Sequence, residues 1–480
     1  MAGLLVAGTS SDAGKSLIVA GLCRAWARKG VRVAPFKAQN MSNNSVVCPD
    51  GSEIGRAQYL QAIAAGVEPS AVLNPVLLKP GTDRRSYIVL RGQPAGTLEA
   101  GEYVGGRTKL AEAAFSAYEE LDAGYDLVVA EGAGSPAEIN LRSGDYVNFG
   151  LARRFGLPVV LVGDIDRGGV LASIYGHWAI VDDADRATLA GYLINKFRGD
   201  QSVLDPGLTE LTARTGLRCF GVLPWLDQVW LDSEDALAFA GWPRLPGRTG
   251  TLRVAVLRFP RISNATDLDA LAAEPGLDVF ATASPADVEN ADLVVLPGSR
   301  STLADLDWLR RLGLADALTA RAAAGRPILG ICGGYQMLAE VIDDPVESAR
   351  GVQPGLGLLP ASVRFGPDKV LGRPRGAWHG HEVVGYEIHH GVVEPRSGEP
   401  FLDGVRVGNT WGTIWHGAFE NDDFRRAWLA ELAGAVGSSW RPASGQPGFA
   451  ERRARMLDDL ADALEADVDL DGLLTRSGVS

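Results

Sequence analysis

Short runs of Val, Ile and Leu alternate along the chain with longer Ala/Leu/Arg-rich stretches of helical spacing. This is the pattern of β–α units around a largely parallel sheet. In the first half the apolar runs predict strands at Gly3–Ala7, Val31–Phe36, Asp126–Ala130, Pro158–Val162 and Gly191–Asn195. Several end in polar or glycine-containing turns, and in open α/β sheets ligands bind beyond the carboxyl ends of strands. Around Gly241–Gly250 (GWPRLPGRTG) proline and glycine interrupt both periods, which marks a domain boundary. A second series then predicts strands at Arg253–Leu257, Asp292–Leu296 and Pro327–Ile331, and after about residue 355 the pattern turns to strands and turns. The stretch GFAERRARMLDDLADALEAD near the end reads as an amphipathic helix with a packing role. The expected organisation is an α/β domain over residues 1–245, a second α/β domain over 250–440 and a helical tail over 441–480.

Composition narrows the function classes. With 46% hydrophobic and 22% charged residues in 480, the chain can bury two or more cores. An excess of 59 acidic over 46 basic side chains gives a net charge of −13, which disfavours nucleic acid and anionic membranes as partners. The four cysteines (Cys23, Cys48, Cys219, Cys332) are widely spaced, so neither a disulfide framework nor a zinc ribbon is expected. The apolar N-terminus lacks a basic leader region and carries Asp12 and Lys15 in its middle. No other run approaches the roughly 20 apolar residues of a membrane helix, and the expected location is cytoplasmic.

The first chemical motif is Gly8-Thr9-Ser10-Ser11-Asp12-Ala13-Gly14-Lys15-Ser16, between an apolar strand and a helix expected over Leu17–Arg28. Such a loop points N–H groups and a helix N-terminus at an anion, while lysine reaches the terminal phosphates and serine ligates Mg²⁺. Thr9, Ser11, Asp12, Ala13, Gly14, Lys15 and Ser16 are therefore the expected ATP-phosphate contacts. Gly8 stands six residues before Gly14, one more than the common phosphate-loop spacing. In DLVVAEGAG a strand ends in Glu131, the placement of a Mg²⁺-binding acid. In LINKFRG, Asn195 and Lys196 end a later strand with groups able to read an adenine edge.

The second motif is Gly330-Ile-Cys332-Gly333-Gly334, which has the form of a strand-to-helix elbow exposing a nucleophile. A free thiol of pKa about 8.5 is only a few per cent thiolate at neutral pH, so it needs a helix N-terminus or a basic partner. Of the six histidines, His416 follows a short apolar run and precedes a glycine, which suits a base at a strand end. Gly298, at another strand end, is expected to share an oxyanion hole with Gly333. Buried filler is the expectation for Cys23 and Cys219. A rival reading takes His379, His381, Glu387, His389 and His390 as a zinc or iron site, but their spacing matches no clean metal motif. Another rival is a partitioning-type ATPase, which usually carries a second lysine near the loop start, where Thr9, Ser10 and Ser11 stand here.

Taken together, these motifs resemble the cobyric acid synthase family, glutamine-dependent amidotransferases of cobalamin biosynthesis. Gln39-Asn-Met-Ser-Asn-Asn44, Glu53-Ile-Gly-Arg-Ala-Gln58, Gly163-Asp-Ile-Asp-Arg-Gly-Gly169 and Gly385-Tyr-Glu-Ile-His389 are similar to that family's signatures. The resemblance implies a dethiobiotin-synthetase-like P-loop domain, whose loop shares the six-residue spacing, followed by a class I glutamine amidotransferase domain. It implies ATP with Mg²⁺, glutamine as ammonia donor and a corrinoid a,c-diamide as substrate, with no tightly bound metal cofactor. It further implies substrate contacts from Gln39, Asn40, Asn43 and Asn44, and Mg²⁺ ligation by Glu53 beside Ser16 and Glu131. Cys332 and His416 match the nucleophile and base. Where most such domains place a glutamate two residues after the histidine, this chain has Ala418, which leaves the support of His416 open, with Glu420 as a candidate.

Overall fold

The computed structural model describes residues 2–81, 85–99, 107–227, 229 and 251–479. The boundary expected at 241–250 lies outside them. The chain divides into two units: Met1–Ser42, Cys48–Leu231 and Arg453–Ser480 form one, and Asn43–Val47 with Asp232–Arg452 form the other. Five residues of the N-terminal half therefore group with the second unit, and most of the tail groups with the first.

The first unit is built on a six-stranded sheet in the order Arg218–Pro224, Leu189–Phe197, Val159–Asp164, Gly3–Gly8, Leu127–Glu131, Val33–Phe36. Every pairing is parallel. A sheet covered on both faces needs apolar side chains on both, which explains the unbroken runs LLVA and LVVA. In the strand Gly3–Gly8 the period-2 alternation is visible in the cores. Leu5 and Ala7 join Phe36, Tyr118 and Ile174 on one face, while Leu4 and Val6 join Ile18, Leu22 and Trp26 on the other.

The helix over Phe449–Asp467 carries Ala461 and Leu464 into that second cluster, followed by Leu470 and Leu473 of the helix Leu470–Ser477. The helix Phe449–Asp467 packs closely on the helix Lys15–Arg28 at Gly21, where a Cβ would lie 2.3 Å from Leu464 Cδ1. The strand Arg218–Pro224 and a small sheet over Gln39–Met41, Val76–Pro80, Arg85–Leu90 and Gln93–Glu99 were not among the strands expected from periodicity.

The second unit holds a seven-stranded sheet in the order Leu277–Thr282, Leu252–Leu257, Leu293–Leu296, Ile328–Ile331, Thr410–Thr413, Gly404–Val407, Glu399–Phe401. The first five run parallel and the last two are added antiparallel. Two short strands, Ile262–Ser263 and Gly298–Ser299, pair antiparallel beyond the carboxyl ends of the strands Leu252–Leu257 and Leu293–Leu296. The histidine-bearing segment forms a hairpin over Arg375–Trp378 and His381–Val384, and a long strand over Glu387–Pro395.

Candidate functional sites

In the first unit the loop after the strand Gly3–Gly8 ends at Gly14, which has φ 95° and caps the helix Lys15–Arg28. A Cβ there would meet Asn195 Nδ2 at 2.2 Å, so both the conformation and the neighbour require glycine. Lys15 Nζ donates to the carbonyls of Ser10 (2.9 Å) and Ser11 (3.0 Å), and Thr9 N–H is tied to Val162 O. Glu131, fully buried, accepts from Ser16 Oγ at 2.7 Å and Lys37 Nζ at 2.8 Å on Oε1, and from Gln61 Nε2 at 2.6 Å on Oε2. Asn40 Nδ2 donates to Gln58 Oε1 at 2.8 Å, and Gln58 Nε2 stands 3.5 Å from Glu131 Oε2. Lys37 and Gln61 escaped the sequence reading. Lys37 directly follows the strand Val33–Phe36, at the carboxyl end where ligands bind in open α/β sheets.

Ser16 and Glu131 form an oxygen pair at the phosphate loop, a donor set that fits Mg²⁺, which takes one or two protein ligands beside phosphates and water. Glu53 is equally buried and, like Glu131, is paired with a lysine, its Oε1 accepting from Lys79 Nζ at 2.7 Å. Asn195 and Lys196 stand against the phosphate loop. Asn195 Nδ2 donates to Ala13 O (2.9 Å), and its Oδ1 accepts from Lys196 N–H. Lys196 Nζ bridges Asp12 O (2.8 Å) and Asp164 Oδ2 (2.6 Å), while Arg167 reaches the Asp12 carboxylate. Both side chains thus brace the loop in this structure. Gln39 Oε1 accepts from the Tyr146 hydroxyl, whereas Asn43 and Asn44 belong to the other unit.

In the second unit Cys332 joins the strand Ile328–Ile331 to the helix Gly333–Leu338 with φ 50° and ψ −111°, a strained geometry for a residue with a Cβ. The surrounding glycines are sterically forced. A Cβ at Gly330 would lie 2.7 Å from Tyr335 Cα, and one at Gly334 would lie 2.0 Å from Leu296 O. The helix has only six residues, so the basic partner carries most of the task of activating the thiol. That partner is His416, buried to 1% exposure and near enough to Cys332 for the two side chains to interact electrostatically. A reciprocal backbone pair with Tyr386, 2.9 Å in each direction, fixes His416, and the two rings stack at 5.3 Å.

The support of the imidazole comes from Asp267, which neither the periodicity nor the motifs had suggested. Its Oδ2 lies 2.7 Å from His416 Nδ1, and its Oδ1 accepts from Gly417 N–H at 2.8 Å. Burial alone would lower the pKa of His416, but the charges of Asp267 and Cys332 and the hydrogen bonds from both outweigh it and push the pKa up to about 10. Asp267 sits 149 residues before His416 in the stretch Asn264-Ala-Thr-Asp. There an acid three residues after an asparagine reads as the first turn of a helix.

Gly298 and Gly333 come together with Ser299. Arg300 N–H donates to Arg261 O at 2.8 Å, so in the antiparallel pair Ile262↔Ser299 is the position whose N–H groups point away from the partner strand. A Cβ on Gly333 would lie 2.7 Å from Ser299 N, and one on Gly298 would lie 3.2 Å from His416 Cε1. Ser299 N–H thus faces the elbow, and Gly298 gives the imidazole room. The remaining histidines do not converge. His379 stacks on Trp378 at 4.0 Å, His389 Nδ1 bonds Gly391 O and His390 Nδ1 bonds Gly366 O. Among the described residues no group of three or more His, Cys, Asp or Glu could hold a metal.

Two family models match. The "CobQ/CobB/MinD/ParA nucleotide binding domain" matches residues 4–237, and the "CobB/CobQ-like glutamine amidotransferase domain" matches residues 253–424. A protein of Cutibacterium acnes named cobyric acid synthase is 64% identical over 99% of this chain and 99% of its own length. A cobyric acid synthase of Mycolicibacterium gilvum is 55% identical over 99% of this chain and 96% of its own.

Proposed function

The chain belongs to the cobyric acid synthase family, and from that premise we propose that it amidates the b, d, e and g carboxylates of adenosylcobyrinic acid a,c-diamide. ATP activates each carboxylate as an acyl phosphate, and glutamine supplies the ammonia. The observation that carries the glutamine half is the buried hydrogen bond between His416 Nδ1 and Asp267, and the electrostatic interaction of His416 with Cys332 supports the reading of the three as a relay. With Nδ1 bonded to Asp267, the other ring nitrogen is left for the thiol.

The Cys332 thiolate attacks the glutamine side-chain carbonyl, and the developing oxyanion takes hydrogen bonds from Ser299 N–H and Gly333 N–H. The His416 imidazolium then gives its proton to the departing nitrogen as the C–N bond breaks, releasing ammonia and leaving a thioester. Water, deprotonated by His416, cleaves the thioester to glutamate and restores the thiolate.

In the synthetase half a corrinoid carboxylate oxygen attacks the γ-phosphorus of ATP, and ADP leaves. Ammonia adds to the acyl carbon and phosphate departs, which forms the amide. Lys15 and the loop N–H groups stabilise charge on the transferring phosphoryl group. Ser16 Oγ and the Glu131 carboxylate would hold Mg²⁺, which when bound would supply further charge neutralisation at the phosphates. Lys37 and Gln61 fix the Glu131 carboxylate in the orientation that task needs.

The test is product mass after incubation with ATP, glutamine and the a,c-diamide. Four successive amide increments are expected, and their absence refutes the assignment. Cys332→Ala is expected to abolish the increments with glutamine and retain them with ammonium. Undiminished glutamine use by that variant would remove Cys332 from the mechanism.

A further inference from the structure

The turn that carries Asp267 is capped from far away in sequence. Asn264 has φ 50° and ψ 43° and opens the short 3₁₀ turn Ala265–Leu268. An asparagine at that position ordinarily turns its side chain onto the N–H groups of the turn it opens. Here its Oδ1 accepts from Ser45 N–H at 3.0 Å, and the turn's first N–H, that of Ala265, is met by Asn44 Oδ1 at 3.2 Å. Asn44, Ser45 and Asn264 are all buried, and residues 43–47 belong to the amidotransferase unit.

This reciprocal pair sits where the two halves of the glutaminase apparatus meet. Immediately before it, Ser263 pairs with Gly298 in the two-stranded ladder that presents Ser299. Three residues after it, Asp267 holds His416, and Asp267 N–H itself bonds Asn264 O at 3.1 Å. A shift of Asn264 therefore moves the carboxylate behind the base. We propose that Asn44 and Asn264 are positioning residues for the glutaminase reaction, locking the Ser263–Leu268 turn so that Asp267 holds His416 in register with Cys332. The inference rests on the glutaminase reading above. It assigns Asn44 to the ammonia-releasing reaction in place of the corrinoid contact the sequence suggested.

The test uses the full chain. Asn264→Gly keeps the left-handed backbone and deletes the amide, while Asn264→Asp keeps both the acceptor and a tolerance for positive φ. A displacement of about 1 Å at a reacting group costs up to about 10²-fold. For Asn264→Gly the expected result is about a tenfold fall in kcat for glutamine hydrolysis, the equivalent of one lost hydrogen bond. The KM for glutamine should hold, and the alkaline limb of the pH profile should move to lower pH, since His416, which faces Asp267, Cys332 and Glu387, loses part of its support. Asn264→Asp is expected to restore the profile. Asn44→Ala should match the Gly variant, and combining the two should cost less than the sum of the separate losses.

Wild-type kcat and pH profile in Asn264→Gly would overturn the proposal. So would equal losses with glutamine and with ammonium, which would mark a general folding defect. Cys332→Ala assayed in parallel separates this from the glutaminase reading: normal hydrolysis by that variant removes the reading itself, whatever the asparagine variants do.

Discussion

Replacing Asp267 by asparagine isolates the charge behind the catalytic imidazole with almost no change of shape. The carboxylate holds two buried bonds, 2.7 Å to His416 Nδ1 and 2.8 Å to Gly417 N–H. An amide has one acceptor oxygen, so one of those groups must face an NH₂. A buried hydrogen bond to a charged partner contributes about 1.5–3 kcal/mol. Losing one such bond together with the charge lowers glutamine-dependent kcat/KM by about 10²-fold, at about 1.36 kcal/mol per factor of ten. The sign of the pH effect follows from the opposed influences on His416. Burial lowers its pKa, and Asp267, with Cys332, raises it to about 10. With Asp267 neutral, burial gains the upper hand, so the imidazolium is lost earlier as pH rises and the alkaline limb shifts down. The assay is glutamate release against pH, with ammonium-supported amidation as the control that stays unchanged. Hydrolysis within about threefold of wild type with an unmoved limb would refute the triad and leave Asp267 a folding residue.

Lys15→Ala is expected to lose amidation with glutamine and with ammonium alike, by on the order of 10²-fold or more, because it acts on phosphoryl transfer; product mass under both nitrogen sources reads this. Gly334→Ala drives a Cβ to 2.0 Å from the main-chain oxygen of Leu296, so glutaminase activity should collapse while ammonium-driven turnover survives in whatever fraction stays soluble. Leu464→Ala removes a fully buried side chain from the face shared with Leu22 and Trp26 and should destabilise the first unit by about 2–5 kcal/mol. Its urea midpoint, followed by circular dichroism, should fall accordingly.

What the sequence discloses and what it hides divide along a physical line. Apolar periodicity is local, so the central strands of both sheets and the tail helix are legible, as are the phosphate loop and the cysteine elbow, whose glycine spacing is visible in the chain even where the neighbour that forces it, Asn195 for Gly14 or Leu296 for Gly334, is distant. Strand register is not local. Nothing near Gly298 says that its neighbour Ser299 is the one whose N–H is left free, because that depends on pairing with Ile262. The same holds for Asn195 and Lys196: a polar strand end suggests a base reader, and only the fold discloses that the two side chains also reach Ala13 and Asp12 of the phosphate loop. The histidines at 379, 381, 389 and 390 are close in number yet divided between a hairpin and a long strand, since an extended chain carries each pair of residues several ångströms onward.

Asp267 reaches the imidazole from a distant part of the chain. An imidazole needs one acceptor at Nδ1 to fix its tautomer and sustain its charge, and chemistry does not specify where in the chain that acceptor originates. A glutamate two residues after the histidine would share its backbone segment and its rigidity. A carboxylate 149 residues away on a one-turn 3₁₀ segment does not. Its precision must be supplied by whatever holds that segment. Here the holders are the Ser263–Gly298 ladder on one side and the Asn44–Asn264 exchange on the other. Ala418, fully packed at 1% exposure, is then a consequence. With Gly417 N–H already bonded to Asp267, the turn after His416 is committed to the same carboxylate, and a second acid there would add like charge to a buried site that already holds the Asp267 carboxylate.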